Sequence, residues 1–125
     1  MSSQRQRSFE PKFRIISLKE QKKLPLSVTE WVHERKTVRG VSEYRRNKYS
    51  YLMISLGSRP NPGYRLELVK VETGRKETAV FVEEKFPLPG RMYPQVVVYP
   101  YLLAEVRGPV QVCLIRPDQS VVPFS

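Results

Sequence analysis

Three side chains of this sequence could form a nucleophilic catalytic site. The chain has one histidine, His33, one cysteine, Cys113, and one aspartate, Asp118. A catalytic triad would require a helix, a strand and a turn to bring all three together. Glu83 and Glu84 are adjacent, so in a strand they would point to opposite faces and could not act as a carboxylate pair. We therefore predict that the protein is not an enzyme.

The sequence also lacks the patterns of cofactor and metal sites. One histidine and one cysteine cannot supply the three or four ligands of a zinc site. The six glycines are scattered, so no glycine-rich phosphate loop is present. We predict no metal and no cofactor. Cys113 lies in the apolar run 110–115, where we expect a buried and inert thiol.

A stiff loop between two strand-like runs is the best candidate for recognition. Its residues are Arg59, Pro60, Asn61, Pro62, Gly63 and Tyr64. The prolines fix φ and lack N–H donors, whereas glycine can adopt a positive φ. Such a loop suits a plain turn and a partner-binding loop equally well. In a plain turn, Tyr64 would point into the sheet and Arg59 would be free in solvent. In a recognition loop, Arg59 would anchor the partner.

A second candidate surface combines cations with aromatic rings. Residues 44–51 interleave Arg45, Arg46 and Lys48 with tyrosines, as a strand that stacks nucleic-acid bases would. A solvated basic strand has the same pattern. The net charge is +10, and residues 1–62 carry 14 Lys and Arg against 5 Glu. This asymmetry predicts an acidic partner for the N-terminal half, either nucleic acid, anionic lipid or an acidic protein.

The elements that position these residues are predicted to be mainly strands. We expect a disordered basic tail over residues 1–11 and one β domain over 12–125. Its short strands favour an antiparallel β-sandwich or a partly open barrel, with one short N-terminal α-helix. The predicted helix runs from Ser27 to Lys36 and starts with a capping box of Ser27 and Glu30. Trp31 is expected to anchor this helix on the core.

Alternating apolar residues predict the strands. The predicted strands are 12–18, 41–46, 48–56, 64–72, 76–85, 95–99, 101–107, 109–115 and 120–124. The second and third of these could also be one long strand with a bulge. Segment 86–94 cannot be a central strand because its prolines would each remove a ladder donor. We expect the core to be formed by Leu52, Ile54, Leu56, Tyr64, Leu66, Leu68, Val96 and Val98.

Targeting signals are absent from the sequence as written. No apolar run is long enough to span a bilayer, and the N-terminus lacks the apolar core of a secretory signal. We expect a cytoplasmic protein, or an exported one if a signal segment precedes this sequence. The oligomeric state is not predicted.

The order of several short motifs resembles the PrcB C-terminal-domain family, named after a subunit of a bacterial protease complex. A strand ending in Gly57 is followed by Arg59-Pro60 and by Gly63-Tyr64. A hairpin comes next, then the Pro89-Gly90 connector and the strand 96–101 with its Tyr-Pro-Tyr ending. The resemblance covers about residues 51–115. It implies a non-catalytic accessory domain that binds and stabilises a partner protein, with a protease as the candidate.

The loop is also similar to the recognition loop of chagasin-type cysteine protease inhibitors, which resides on an immunoglobulin-like sandwich. Residues 61–64 keep the two ends of that Asn-Pro-Thr-Thr-Gly-Tyr loop but lack both threonines. This similarity implies a protease inhibitor as an alternative to the accessory domain. A basic nucleic-acid-binding β domain is the other alternative.

Overall fold

A computed structural model of the protein describes residues 11–125. The predicted tail over residues 1–11 therefore lies outside the described residues, except for Pro11. The strands are β1 (Phe13–Ile15), β2 (Gly40–Arg45), β3 (Ser50–Ser55), β4 (Arg65–Thr73), β5 (Thr78–Lys85), β6 (Tyr101–Val106), β7 (Val110–Ile115) and β8 (Val121–Pro123). The helices are α1 (Leu18–Gln21) and α2 (Leu26–Arg35).

The eight strands form two sheets of four. Sheet 1 has the order β1-β6-β3-β2, and sheet 2 has the order β4-β5-β7-β8. The predicted mainly β class is confirmed, and the architecture is a sandwich with no closed barrel. The strands pair mainly antiparallel, as predicted, with the one exception that β5 and β7 pair in parallel. Strand β6 comes between β5 and β7 in the sequence but belongs to sheet 1. The chain then returns to sheet 2, where β7 runs in the same direction as β5.

Strand β3 is the central strand of the molecule, because all six of its residues are buried. Leu52 and Ile54 face sheet 2 and pack in the core between the sheets, with Val80 and Val82 of β5. Tyr51 and Met53 face the other way, and there Val28 and Val32 of α2 cover them. The molecule therefore has three layers: α2 packs on one face of sheet 1, and sheet 2 packs on the other.

Helix α2 has the predicted buried stripe but a different start. Pro25 is its N-cap and makes no side-chain capping bond, so Ser27 lies inside the helix and the Ser27–Glu30 capping box is wrong. A capping box of the same sequence pattern is formed instead by Ser17 and Glu20 at the start of α1. This four-residue helix was not predicted from the sequence. Trp31 is partly buried and packs on the core as predicted, in edge contact with the Tyr44 ring.

The predicted strand over 95–99 is wrong. Only one isolated bridge forms there, between Val98 and Arg59. Val96 is exposed and is not a core residue, whereas Val98 is half-buried. Segment 86–94 forms no strand, as its prolines predicted.

Over residues 11–125, neither helix is long and apolar enough to cross a membrane.

Candidate functional site

The predicted recognition loop lies against the segment that links the two sheets. We call residues 86–100, which run from the end of β5 to the start of β6, the connector. Arg59 exchanges two backbone hydrogen bonds with Val98 of the connector, with N···O distances of 2.8 and 2.9 Å. On the same side, the Tyr64 ring meets the Phe86 ring edge-on at 6.0 Å. The loop is thus one half of a two-part structure, and we call the loop and the connector together the loop–connector surface.

Arg59 is held by an ion pair, which neither alternative for the loop predicted. Its guanidinium donates to both carboxylate oxygens of Glu84 on β5, at 2.7 and 3.1 Å. It also donates to the carbonyl oxygens of Leu56 and Ser58. The side chains are only 23% and 13% exposed. The hydrogen bond to Glu84 raises the pKa of Arg59 above its usual value. Arg59 is therefore not free in solvent, and its guanidinium fastens the loop to sheet 2.

Gly63 is required for a reason other than the expected one. Its φ is not positive, so the predicted turn geometry is wrong at this residue. It is buried, and a Cβ atom there would lie 2.9 Å from both the Asn61 side-chain oxygen and the Pro87 Cβ. Its N–H donates to that same Asn61 oxygen at 2.8 Å. Close packing of the loop on the connector is what excludes a side chain.

The exposed part of the loop–connector surface is apolar. Pro60 and Pro62 are exposed on the loop. The connector exposes Phe86, Leu88, Met92, Val96, Val97 and Tyr99. Between the start of β4 and the end of the connector lies a groove of about 400 Å³, lined by residues that include Pro62, Tyr64 and Tyr99. Sequence reasoning missed the connector because its valines have the composition of a core strand.

The predicted basic surface lies at the opposite end of β3. Arg46, Asn47, Lys48 and Tyr49 form the turn between β2 and β3, whereas the loop follows the other end of β3. The six residues of β3 separate the two by roughly 17 Å. The Tyr49 ring is in edge contact with Tyr51, whose side chain is almost fully buried. In the alternative in which this strand stacks bases, Tyr51 could not take part, because its ring is buried.

The three candidate catalytic side chains are not brought together. His33 lies on α2, on the outer face of sheet 1, whereas Cys113 lies on β7 in sheet 2. Asp118 lies in the β7–β8 turn, where hydrogen bonds from the Ser120 N–H and hydroxyl lower the pKa of its carboxyl group. Cys113 is half-buried and not fully buried as expected. Within residues 11–125, no three His, Cys, Asp or Glu side chains are grouped closely enough to hold a metal ion.

The comparisons with known proteins gave one result. A sequence model of the family described as PrcB C-terminal matches residues 50–107, a little under half of the chain. No curated protein and no solved structure matches the chain. The matched stretch begins with β3 and ends after β6, so it contains the loop, the β4–β5 hairpin and the connector. The resemblance drawn from the sequence motifs is confirmed, because residues 50–107 of this chain are similar to the PrcB C-terminal family.

Proposed function

We propose that this chain is a non-catalytic accessory domain that binds a partner protein through the loop–connector surface. One observation carries the proposal. Among the described residues, twelve large hydrophobic side chains are exposed, and six of them lie within residues 86–99. Met92 is 97% exposed. Concentrated exposed apolar groups with polar neighbours are typical of protein–protein interaction sites.

The stiffness of this surface supports the same function. Pro87, Pro89, Pro94 and Pro100 each fix a φ angle of the connector. The backbone bonds between Arg59 and Val98 tie its far end to the loop. A surface that is already ordered loses little conformational entropy when a partner binds, so more of the apolar burial appears as affinity.

The family name supports a protease complex as the setting. The family is named after PrcB, a protease complex subunit, and the matched residues contain the whole loop–connector surface. We propose that the partner is a protease or another subunit of its complex, and that the domain stabilises it. In this proposal the domain supplies contact area and no catalytic group.

A photo-crosslinker tests which surface contacts the partner. We would place p-benzoylphenylalanine at Val97 of the connector and, as the matched control, at Val121 of β8. The two valines are similarly exposed, at 57% and 52%, and they lie in different parts of the molecule. The proposal expects a discrete crosslinked protein from position 97 only, identified by mass spectrometry of the crosslinked band from the source cell.

The partner found in this way would then be titrated with purified variants. We expect Met92→Ser/Val97→Ser to weaken binding by at least about tenfold, since two exposed apolar contacts would be lost. Because both side chains are exposed, the melting temperature should stay unchanged. Val121→Ser should bind like the wild type. Equal crosslinking from positions 97 and 121, or full binding by the double variant, would rule out the loop–connector surface.

A further inference from the structure

A cleft opens between the two sheets at the end of the sandwich opposite the loop–connector surface. Its volume is about 560 Å³. Leu52 and Val106 on the inner face of sheet 1 form its floor, and Pro109 and Val110 at the start of β7 form one wall. The other wall is basic and consists of β2 and the turn that follows it. We call this the basic cleft.

The cleft exists because β2 extends beyond the cover of sheet 2. Glu43 pairs with Leu52, and Arg45 pairs with Ser50, so both side chains lie on the face of sheet 1 that points to sheet 2. On β3 this face is buried in the core, but Glu43 and Arg45 are exposed on β2. Strand β2 thus presents charged side chains where a fully covered sandwich would have apolar ones.

Three cations line the cleft without a carboxylate partner among the described residues. Arg45, Arg46 and Lys48 all line it, and none of them forms an ion pair with a carboxylate among residues 11–125. Arg107 adds positive charge beside them, since its guanidinium donates to the Lys48 carbonyl at 3.2 Å. Glu43 is the single carboxylate in the lining. Clefts lined by one sign of charge concentrate ligands of the opposite sign.

We propose that the basic cleft binds an acidic peptide segment of a partner protein, in which an apolar residue is flanked by Asp or Glu. The apolar side chain would lie on the floor made by Leu52 and Val106. The flanking carboxylates would accept hydrogen bonds from Arg45 and Lys48, as charge-assisted pairs. The Glu43 carboxylate would accept a hydrogen bond from a peptide N–H.

Two observations favour a peptide over a nucleic acid. The Tyr49 ring is in edge contact with Tyr51 and lies 5.6 Å from the Arg107 guanidinium, and Tyr51 is 4% exposed. Tyr51 is therefore too buried for a base to stack on it, and the Arg107 guanidinium lies over one face of the Tyr49 ring. Glu43 would repel a phosphate chain, which has no N–H donor in its backbone to offer in return. A peptide backbone has such a donor at each non-proline residue.

The experiment is a fluorescence-polarisation titration of the purified chain with a labelled probe peptide, Gly-Asp-Glu-Leu-Asp-Glu, at low salt. A second peptide has Gly in place of Leu, and a third probe is a twelve-nucleotide oligo-dT. The test variant is Arg45→Ser/Lys48→Ser. The matched control is Lys22→Ser/Lys23→Ser, which removes the same charge from two exposed lysines between α1 and α2.

We expect the test variant to weaken binding of the Leu peptide by at least about tenfold and the control variant by less than about twofold. The Gly peptide should bind at least about threefold more weakly than the Leu peptide. Equal losses in both variants would show attraction to net charge alone and would overturn the proposal. Absence of peptide binding, or tighter binding of oligo-dT than of the Leu peptide, would overturn it as well. These probes are independent of the proposed protease partner, so this result and the crosslinking result can fail separately.

Discussion

Removal of the Arg59 guanidinium tests whether a partly buried ion pair holds the loop–connector surface in place. The Glu84 side chain is 13% exposed in the pair, and in Arg59→Ala its carboxylate would lose both of its N–H donors. Breaking a fully buried pair costs about 3–5 kcal/mol, whereas exposed pairs contribute about 0.2–1 kcal/mol. With the two side chains 23% and 13% exposed, we expect a loss of about 2 kcal/mol in the free energy of unfolding.

The chain contains a matched control for this measurement. Arg65 and Glu67 also form an ion pair with an N···O distance of 2.7 Å, but these side chains are 62% and 39% exposed. Arg65→Ala should therefore change the free energy of unfolding by less than about 0.5 kcal/mol. The comparison removes the same guanidinium at the same N···O distance, so the difference between the variants reports the burial of the Arg59–Glu84 pair together with the additional hydrogen bonds that Arg59 makes.

Urea unfolding monitored by fluorescence gives both values, because the chain has one tryptophan, Trp31, which packs on the core. The double variant Arg59→Ala/Glu84→Ala should lose less than the sum of the two single variants, by about 1–2 kcal/mol, since neither charge would then be left unpaired. The reasoning would be refuted if Arg59→Ala were as stable as Arg65→Ala, or if the single losses added fully.

Two further predictions concern the loop and the central strand. Gly63→Ala should lower the free energy of unfolding by about 1–3 kcal/mol, since the new Cβ would overlap Asn61 and Pro87; a urea curve superimposable on that of the wild type would contradict it. Burial, aided by the Tyr49 hydroxyl, raises the pKa of Tyr51 to about 12. An unfolded tyrosine ionises near pH 10, so the free energy of unfolding should fall between about pH 10 and pH 12, and less steeply in Tyr51→Phe. Absorbance at 295 nm should show a tyrosine that resists ionisation in this range, and a single titration near pH 10 would disprove the shift.

The sequence predicted those elements whose local pattern and tertiary packing agree. In β3, the alternation of Leu52 and Ile54 with Tyr51 and Met53 predicted a strand with one core face, and Leu52 and Ile54 pack in the core between the sheets. The 3–4 spacing of the apolar side chains of α2 likewise matches its packing on sheet 1. In these cases one periodicity fixed both the type of element and the direction of its side chains.

Errors arose where identical patterns had different surroundings. Ser17 and Ser27 are each followed three residues later by glutamate, but the helix after Pro25 begins at Leu26 and leaves Ser27 inside it. The run 95–99 has the composition of a strand, but no neighbouring strand is available to pair with it beyond the single bridge at Val98. Propensity alone cannot supply a partner strand.

The central feature of the loop–connector surface was outside the reach of sequence reasoning. Arg59 and Glu84 are 25 residues apart and lie in a loop and in a strand of sheet 2. Their contact depends on the tertiary packing of the loop against sheet 2. No local sequence pattern predicts a contact between residues so far apart in the chain. The basic turn, by contrast, was visible in the sequence, because its cations are close together along the chain.

The arrangement of β6 and β7 determines when the domain can fold during synthesis. Strand β6 lies between β1 and β3 in sheet 1, and β7 lies between β5 and β8 in sheet 2. A nascent chain that ends before residue 101 can form the β2–β3 and β4–β5 hairpins, but it cannot place β1 in a sheet or cover β5 on its second edge. Isolated hairpins are marginally stable in water, so the two sheets must form late and almost together. Until then the emerging chain exposes the apolar faces of β3 and β5, and this is the interval in which it is most open to proteolysis and aggregation.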